Sequence, residues 1–167
     1  MHDDDARVAN LLGACALAVG DAERDITEAA AGFGGAAAGA LVTVESYPNR
    51  SIETLRRALG LTHPGAVRLV DRLVEQGWMR REPGEGRQVA VVLTAAGRRI
   101  ARRLLAARME AVGDFLTPLS YGERRQLEQL LEKLLASRSH ERADLLRLCR
   151  LCERRVCVGC PVAAAVA

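Results

Sequence analysis

SIETLRRALGLTHPGAVRLVDRLVEQGWMRREPGEGRQVAVVL, running from Ser51 to Leu93, decides the fold. It reads as a short helix, a tight turn, a second amphipathic helix and a two-stranded hairpin. In the second helix Ala66, Leu69, Val70, Leu73 and Val74 recur at helical spacing and form one apolar stripe. Gly65, Arg68, Arg72 and Glu75 fall on the opposite face. Ser51 can cap the first helix, whose Ile52, Leu55 and Leu59 make its buried edge. Leu59-Gly60-Leu61-Thr62 is the turn, with glycine for a positive φ and Thr62 as the next cap. Pro64 sits in the first helical turn, where a missing N–H is harmless. Gly77 ends the second helix and Trp78 begins the first strand. Pro83-Gly84-Glu85-Gly86 is the hairpin tip, and Val89, Val91 and Leu93 alternate on the return. A buried stripe backed by two arginines one turn apart suits a helix lying in a DNA groove, with the hairpin as a wing. The expected fold is mainly α (α+β), a winged helix-turn-helix between long terminal helices.

Upstream, Val8, Leu12, Cys15, Val19, Ala22, Ile26, Ala29 and Phe33 alternate at spacings of 4 and 3, a heptad-like seam. Such a helix packs either on its own domain or on a partner subunit. Gly20 marks a candidate bend, and Cys15 reads as a buried small hydrophobe. The glycine-rich GFGG that follows is no phosphate loop, because no strand precedes it and no GK[ST] follows. It leads into a short apolar helix, Ala36 to Glu45, closed by Tyr47-Pro48. Downstream, Thr94 caps a helix extending to about Leu119, with Arg98, Arg99, Arg102, Arg103 and Arg108 on its exposed side. Ser120-Tyr121-Gly122-Glu123 is a capping box. It opens a helix whose apolar face is Leu127, Leu130, Leu131, Leu134 and Leu135, and a further amphipathic piece begins near Glu141. The expected divisions are residues 1–35 for an N-terminal dimerisation helix and 36–93 for the reading head. Residues 94–148 hold C-terminal dimerisation helices, and 149–167 a cysteine tail.

The net charge of +3 is unevenly placed. Residues 1–50 carry 3 Arg against 8 acidic residues, whereas residues 51–110 carry 12 Arg against 6. The positive surplus therefore coincides with the reading head, as contact with phosphate requires. Aromatic residues make up 3% of the chain, too few for base-stacking platforms, so a duplex partner is favoured over a single strand. His2, His63 and His140 are dispersed and no nucleophile–base grouping is present, which argues against an enzyme. LLGACALAVG at residues 11–20 follows Asp3, Asp4 and Asp5 rather than a positive n-region, so it is not read as a signal peptide. With no run near ~18 apolar residues, no membrane span is expected and a cytoplasmic location is.

Cys149, Cys152, Cys157 and Cys160 form C-x2-C-x4-C-x2-C. Two C-x2-C turns can offer their thiolates to one tetrahedral ion, which makes structural Zn²⁺ the leading reading. The last three cysteines, with Pro161 after them, also echo a ferredoxin spacing and leave an iron–sulfur cluster open. Reversible disulfides or free thiols in an oxidant sensor are the third reading.

Several of these pieces together resemble the multiple-antibiotic-resistance regulator (MarR) family of bacterial transcription factors. They are Leu69-Val70-Asp71-Arg72-Leu73, Gly77-Trp78-Met79-Arg80-Arg81, Glu85-Gly86-Arg87 and Val91-Val92-Leu93-Thr94-Ala95-Ala96-Gly97. The resemblance covers Ser51 to Gly97 and implies a homodimer built from the first and last helices. Two winged domains would then read adjacent major grooves of a palindromic operator, usually to repress. A small ligand or oxidant near the junction of dimer and wing would release the DNA. The family's wing usually carries Asp-x-Arg; here it is Glu85-x-Arg87, which keeps the charge directed at the minor groove. The candidate DNA contacts are Thr62, His63 and Gly65 at the start of the recognition helix, Arg68 and Arg72 along it, and Arg87 in the wing. Arg68 is a candidate for two bonds to guanine, Arg72 for phosphate.

Overall fold

A computed structural model of the chain describes residues 3–32, 34–84 and 88–167. Helix α1 (Asp3–Ala31) is followed by α2 (Gly35–Ser46), a two-residue strand β1 (Arg50–Ser51), α3 (Ile52–Leu59) and α4 (His63–Glu75). Strands β2 (Met79–Pro83) and β3 (Val89–Leu93) precede α5 (Ala95–Asp114), α6 (Tyr121–Ala136), α7 (Arg142–Leu148) and α8 (Pro161–Ala165). The fold class agrees with the sequence reading. Glu85, Gly86 and Arg87 at the wing tip and Phe33 of the N-terminal seam lie outside the described residues.

The core forms around α2, where every residue from Ala37 to Val44 is buried. A helix apolar all round must be covered on all sides, and α1, α3, α4, α5 and β3 supply that cover. Leu41, Leu55, Val70, Leu73, Met79, Val91, Leu93 and Leu104 pack together around it. On α4, Ala66, Val70 and Leu73 are buried, while Leu69 and Val74 pack half-buried at the edge of the same core. The stripe read from the sequence is therefore the surface that docks α4.

Local chemistry fixes the ends of the helices. Ser51, Thr62 and Thr94 each accept a hydrogen bond from a backbone N–H three residues on. Ser120 and Glu123 complete their reciprocal box. After α3, Gly60 adopts φ 65° and Leu61 N–H reaches back to the Arg56 carbonyl, the glycine ending that stops a helix sharply.

Four expectations need correction. The hairpin is part of a three-stranded antiparallel sheet ordered β1-β3-β2, with Arg50 opposite Val91 and Ser51 opposite Ala90. Asn49, at φ 58°, turns the chain into that extra strand, a conformation asparagine tolerates. Helix α1 runs unbroken through Gly20, since its neighbours α5 and α2 support it. Helix α5 stops at Asp114, not near Leu119, because Phe115 to Leu119 form successive tight turns. Arg108 is not on a free outer side: it is half-buried and bonds Glu23 of α1 at 2.6 Å.

Glu53 holds Arg56 and Arg57 of α3 at 2.7 and 2.9 Å. Those hydrogen bonds lower its carboxyl from 4.5 to about 2. A depressed folded value means the stabilisation is complete above the ordinary carboxylate range and is lost as pH falls through the folded value. Glu53→Gln should therefore flatten the acid limb of a pH-dependent melting curve between about 4.5 and 2 and leave its shape near neutrality unchanged.

Candidate nucleic-acid interface

Helix α4 presents its outer face to solvent: His63, Arg68, Arg72 and Glu75 are exposed, and Gly65 is half-buried. Thr62 is exposed too, but its hydroxyl accepts the Gly65 N–H at 3.2 Å. A side chain at Gly65 would place Cβ 3.1 Å from that oxygen, so glycine leaves room for the cap. Arg68 makes no hydrogen bond or ion pair with the other described residues, leaving its guanidinium open to an outside acceptor. Thr62, His63, Gly65, Arg68 and Arg72 thus share one helix and one outward face.

The hairpin is anchored to that helix. Arg81 of β2 bonds Asp71 of α4 at 2.5 Å, and Arg80 pairs with Glu82 on its own strand. Two exposed arginines of the wing are thereby engaged within the domain. Their Arg-Arg pattern in the sequence carried the family resemblance but did not disclose these partners. At the base of the wing, Thr94 joins both strands' ends: its N–H donates to the Trp78 carbonyl and its hydroxyl to the Gly77 carbonyl at 2.6 Å.

The far end of the chain folds back on this unit. Helix α7 packs on α3, and α8 on α6. The four C-terminal cysteines line one small cavity of about 80 Å³ together with Tyr47, Leu145, Arg154 and Ala163. All are free thiols. Hydrogen bonding with Cys152, then burial and the charge of neighbouring thiolates, pushes the Cys149 thiol far up. The same bond lowers Cys152 to about 6, against burial and with help from Arg108 and Arg150. Burial and Cys160 raise Cys157. Among the described residues no group of three or more His, Cys, Asp or Glu stands ready-set for a metal ion. Cys15 is exposed on α1, not buried as its seam position suggested, because none of the described residues covers that face.

Sequence reasoning missed Tyr47 and Arg50 as members of any site. Both Arg154, at 4.4 Å, and Arg50, at 5.6 Å, place a guanidinium over the Tyr47 ring. The sequence signal was only Tyr-Pro, read as a helix stop.

A helix-turn-helix followed by a hairpin, with a short first strand completing the sheet, defines a winged-helix protein. The pattern of the MarR family matches residues 31–88, so the winged-helix segment of the chain is similar to that family. It is 35% identical over 101 residues to the transcriptional repressor MprA of Escherichia coli K12, covering 58% of this chain and 57% of that protein. It is 34% identical over 79 residues to the HTH-type transcriptional regulator PecS of Dickeya dadantii, covering 46% and 48%. The chain thus spans about half the length of these curated relatives. Among solved structures, a MarR family protein from Bacillus stearothermophilus superposes with a TM-score of 0.72 at 23% identity, over 80% of this chain and 95% of that one. These relatives are named as regulators of transcription, not as enzymes. No helix among the described residues is long and apolar enough to cross a membrane.

Proposed function

We propose that the protein regulates transcription, binding palindromic duplex DNA as a homodimer and repressing from it. The observation that carries this reading is α4, an end-capped helix docked by a buried stripe with Arg68 and Arg72 on its open face. Its first turn is where helix-turn-helix proteins reach base edges. The arginine surplus of residues 51–110 supports the same face as the one turned to phosphate.

The dimer is supported by apolar surface that a single chain leaves open. On α1, Val8 and Leu12 are 64% and 51% exposed, and no residue of α6 is buried although Leu130, Leu131, Leu134 and Leu135 share its face. Leucine at this spacing and exposure is typical of a surface covered by another copy. The effector of such a regulator would be a small molecule or an oxidant. A cavity of about 460 Å³ between α1, α2, α3 and the chain after α7, lined by Glu23, Thr27, Leu59 and Leu151, supports a site at that junction.

An electrophoretic shift with genomic fragments at low salt tests the DNA reading. Arg68→Ala should cost the cognate operator about 1–3 kcal/mol and leave random duplex nearly unaffected. Arg72→Ala and Arg87→Ala should weaken all sequences alike and reduce the log–log salt slope by about 1 each. Binding of neither palindromic nor random duplex would favour a winged-helix module that recognises a protein instead.

A further inference from the structure

Each of the two C-x2-C segments is built as a turn. The Cys152 N–H donates to the Cys149 carbonyl at 3.1 Å, closing the first. The second contains Gly159 at φ 70°, a left-handed residue that brings Cys157 and Cys160 back toward one side. Cys149, Cys152, Cys157 and Cys160 all line the one cavity of about 80 Å³, with Tyr47 and Arg154 beside them, so both turns open on the same space. Resting on the DNA-binding reading above, we propose that these four cysteines hold one Zn²⁺ and that its occupancy is transmitted to the reading head through Arg154, Tyr47 and Arg50.

A tetrathiolate zinc site has Zn–S bonds of about 2.3 Å, which puts neighbouring sulfurs roughly 3.8 Å apart. Four cysteines around a cavity of about 80 Å³ suit a single ion of that size. An iron–sulfur core is larger and requires sulfide as well as iron. On binding, every sulfur still carrying a proton loses it to solvent and keeps the electron pair of the broken S–H bond, and all four sulfurs donate a pair to the metal. No oxidant or reductant enters. The site then carries −2, and Arg108 and Arg150, which already act on Cys152, offset it.

Arg154 stands in the four-residue link between the two cysteine pairs. Its guanidinium lies over the Tyr47 ring and donates to the Ser46 carbonyl at 3.2 Å. Arg50 reaches the same ring from β1, the strand that pairs with β3 of the wing and leads directly into Ser51, the cap of α3. An ion that closes the link fixes Arg154, and through Tyr47 it fixes the strand that positions both wing and helix-turn-helix. Zinc therefore tightens DNA binding, and operator DNA tightens zinc binding by the same factor.

The test uses the full chain, reduced and stripped of metal without air, then titrated with Co²⁺ alone and afterwards with Zn²⁺. The expected result is the visible absorption of tetrahedral cobalt–thiolate, saturating at one ion per chain and bleached by one Zn²⁺. Cys157→Ser should abolish it while the far-ultraviolet circular dichroism stays helical, and Cys15→Ser should not alter it. Zinc-loaded protein should bind operator roughly 5–150-fold more tightly than stripped protein. Tyr47→Leu should keep one ion per chain but lose that difference. Failure to saturate at one ion, or brown protein containing iron and sulfide, or disulfides formed without metal uptake would overturn the zinc site. Equal operator binding by loaded and stripped wild-type protein would overturn the transmission alone. Loaded protein that binds one ion but no duplex at low salt would instead overturn the DNA-binding reading, and the transmission with it.

Discussion

Replacing Gly97 by alanine should unfold the base of the wing. A Cβ at this position would lie 2.0 Å from the Trp78 carbonyl oxygen and 2.9 Å from its carbon, both backbone atoms. No side-chain rotamer relieves such a clash, so α5 or the Gly77–Trp78 segment must move. That movement would pull apart the Thr94 bonds to the Gly77 and Trp78 carbonyls and the cap on the Gly97 N–H. Overpacking against backbone costs about 3 kcal/mol or more, which lowers the melting temperature by roughly 6–12 °C in a chain of this size. Gly113, later in the same helix, is the matched control. A Cβ there meets nothing within 4 Å, so Gly113→Ala should raise stability by about 0.5–1 kcal/mol. Thermal melts of the two variants should move in opposite directions. Equal shifts would show that helix propensity alone, not the approach of α5 to Trp78, governs both sites.

The second large effect is expected on the open face of α6. Leu131→Glu with Leu134→Glu puts two charges where the side chains are 43% and 48% exposed in the single chain. In a monomer this is a mild surface change, and the start of the helix is held by the Ser120 box regardless. In a dimer that buries this face the charges would be desolvated, and association should fail. Operator affinity should then fall about 10²–10⁴-fold, the advantage that two linked reading heads have over one. Sedimentation equilibrium and circular dichroism separate the cases: monomers with full helicity support the interface. A double variant that remains dimeric would place the interface elsewhere.

What could be read from the sequence was mostly local. The caps at Ser51, Thr62, Thr94 and Ser120 were legible because a side chain and an N–H three residues away settle them. So was the buried stripe of α4, whose period identifies its face without a knowledge of what it packs against. The end of α5 was misjudged although the sequence carries a signal there: Pro118 disfavours helical geometry at Thr117, and the turns begin at Phe115. Strand β1 also escaped notice: two residues carry no period, and their pairing to β3 spans about forty positions. Arg154 bonds Ser46 across 108 residues of chain, a separation at which spacing is silent. The seam of α1 was visible as a pattern, yet its periodicity could not say whether its cover was the same chain. The exposure of Cys15, Val8 and Leu12 turns that pattern into an interface question.

The central claim is that two copies of α4 read one duplex. The most direct measurement is a footprint of the zinc-loaded protein on a high-affinity fragment selected from genomic DNA, with binding followed across salt concentrations. Two protected half-sites centred about one helical turn apart, roughly 34–36 Å, related by a two-fold axis and lost together in Arg68→Ala, are predicted. A single half-site occupied by a monomer, or uniform protection without sequence preference at every salt concentration, would contradict it.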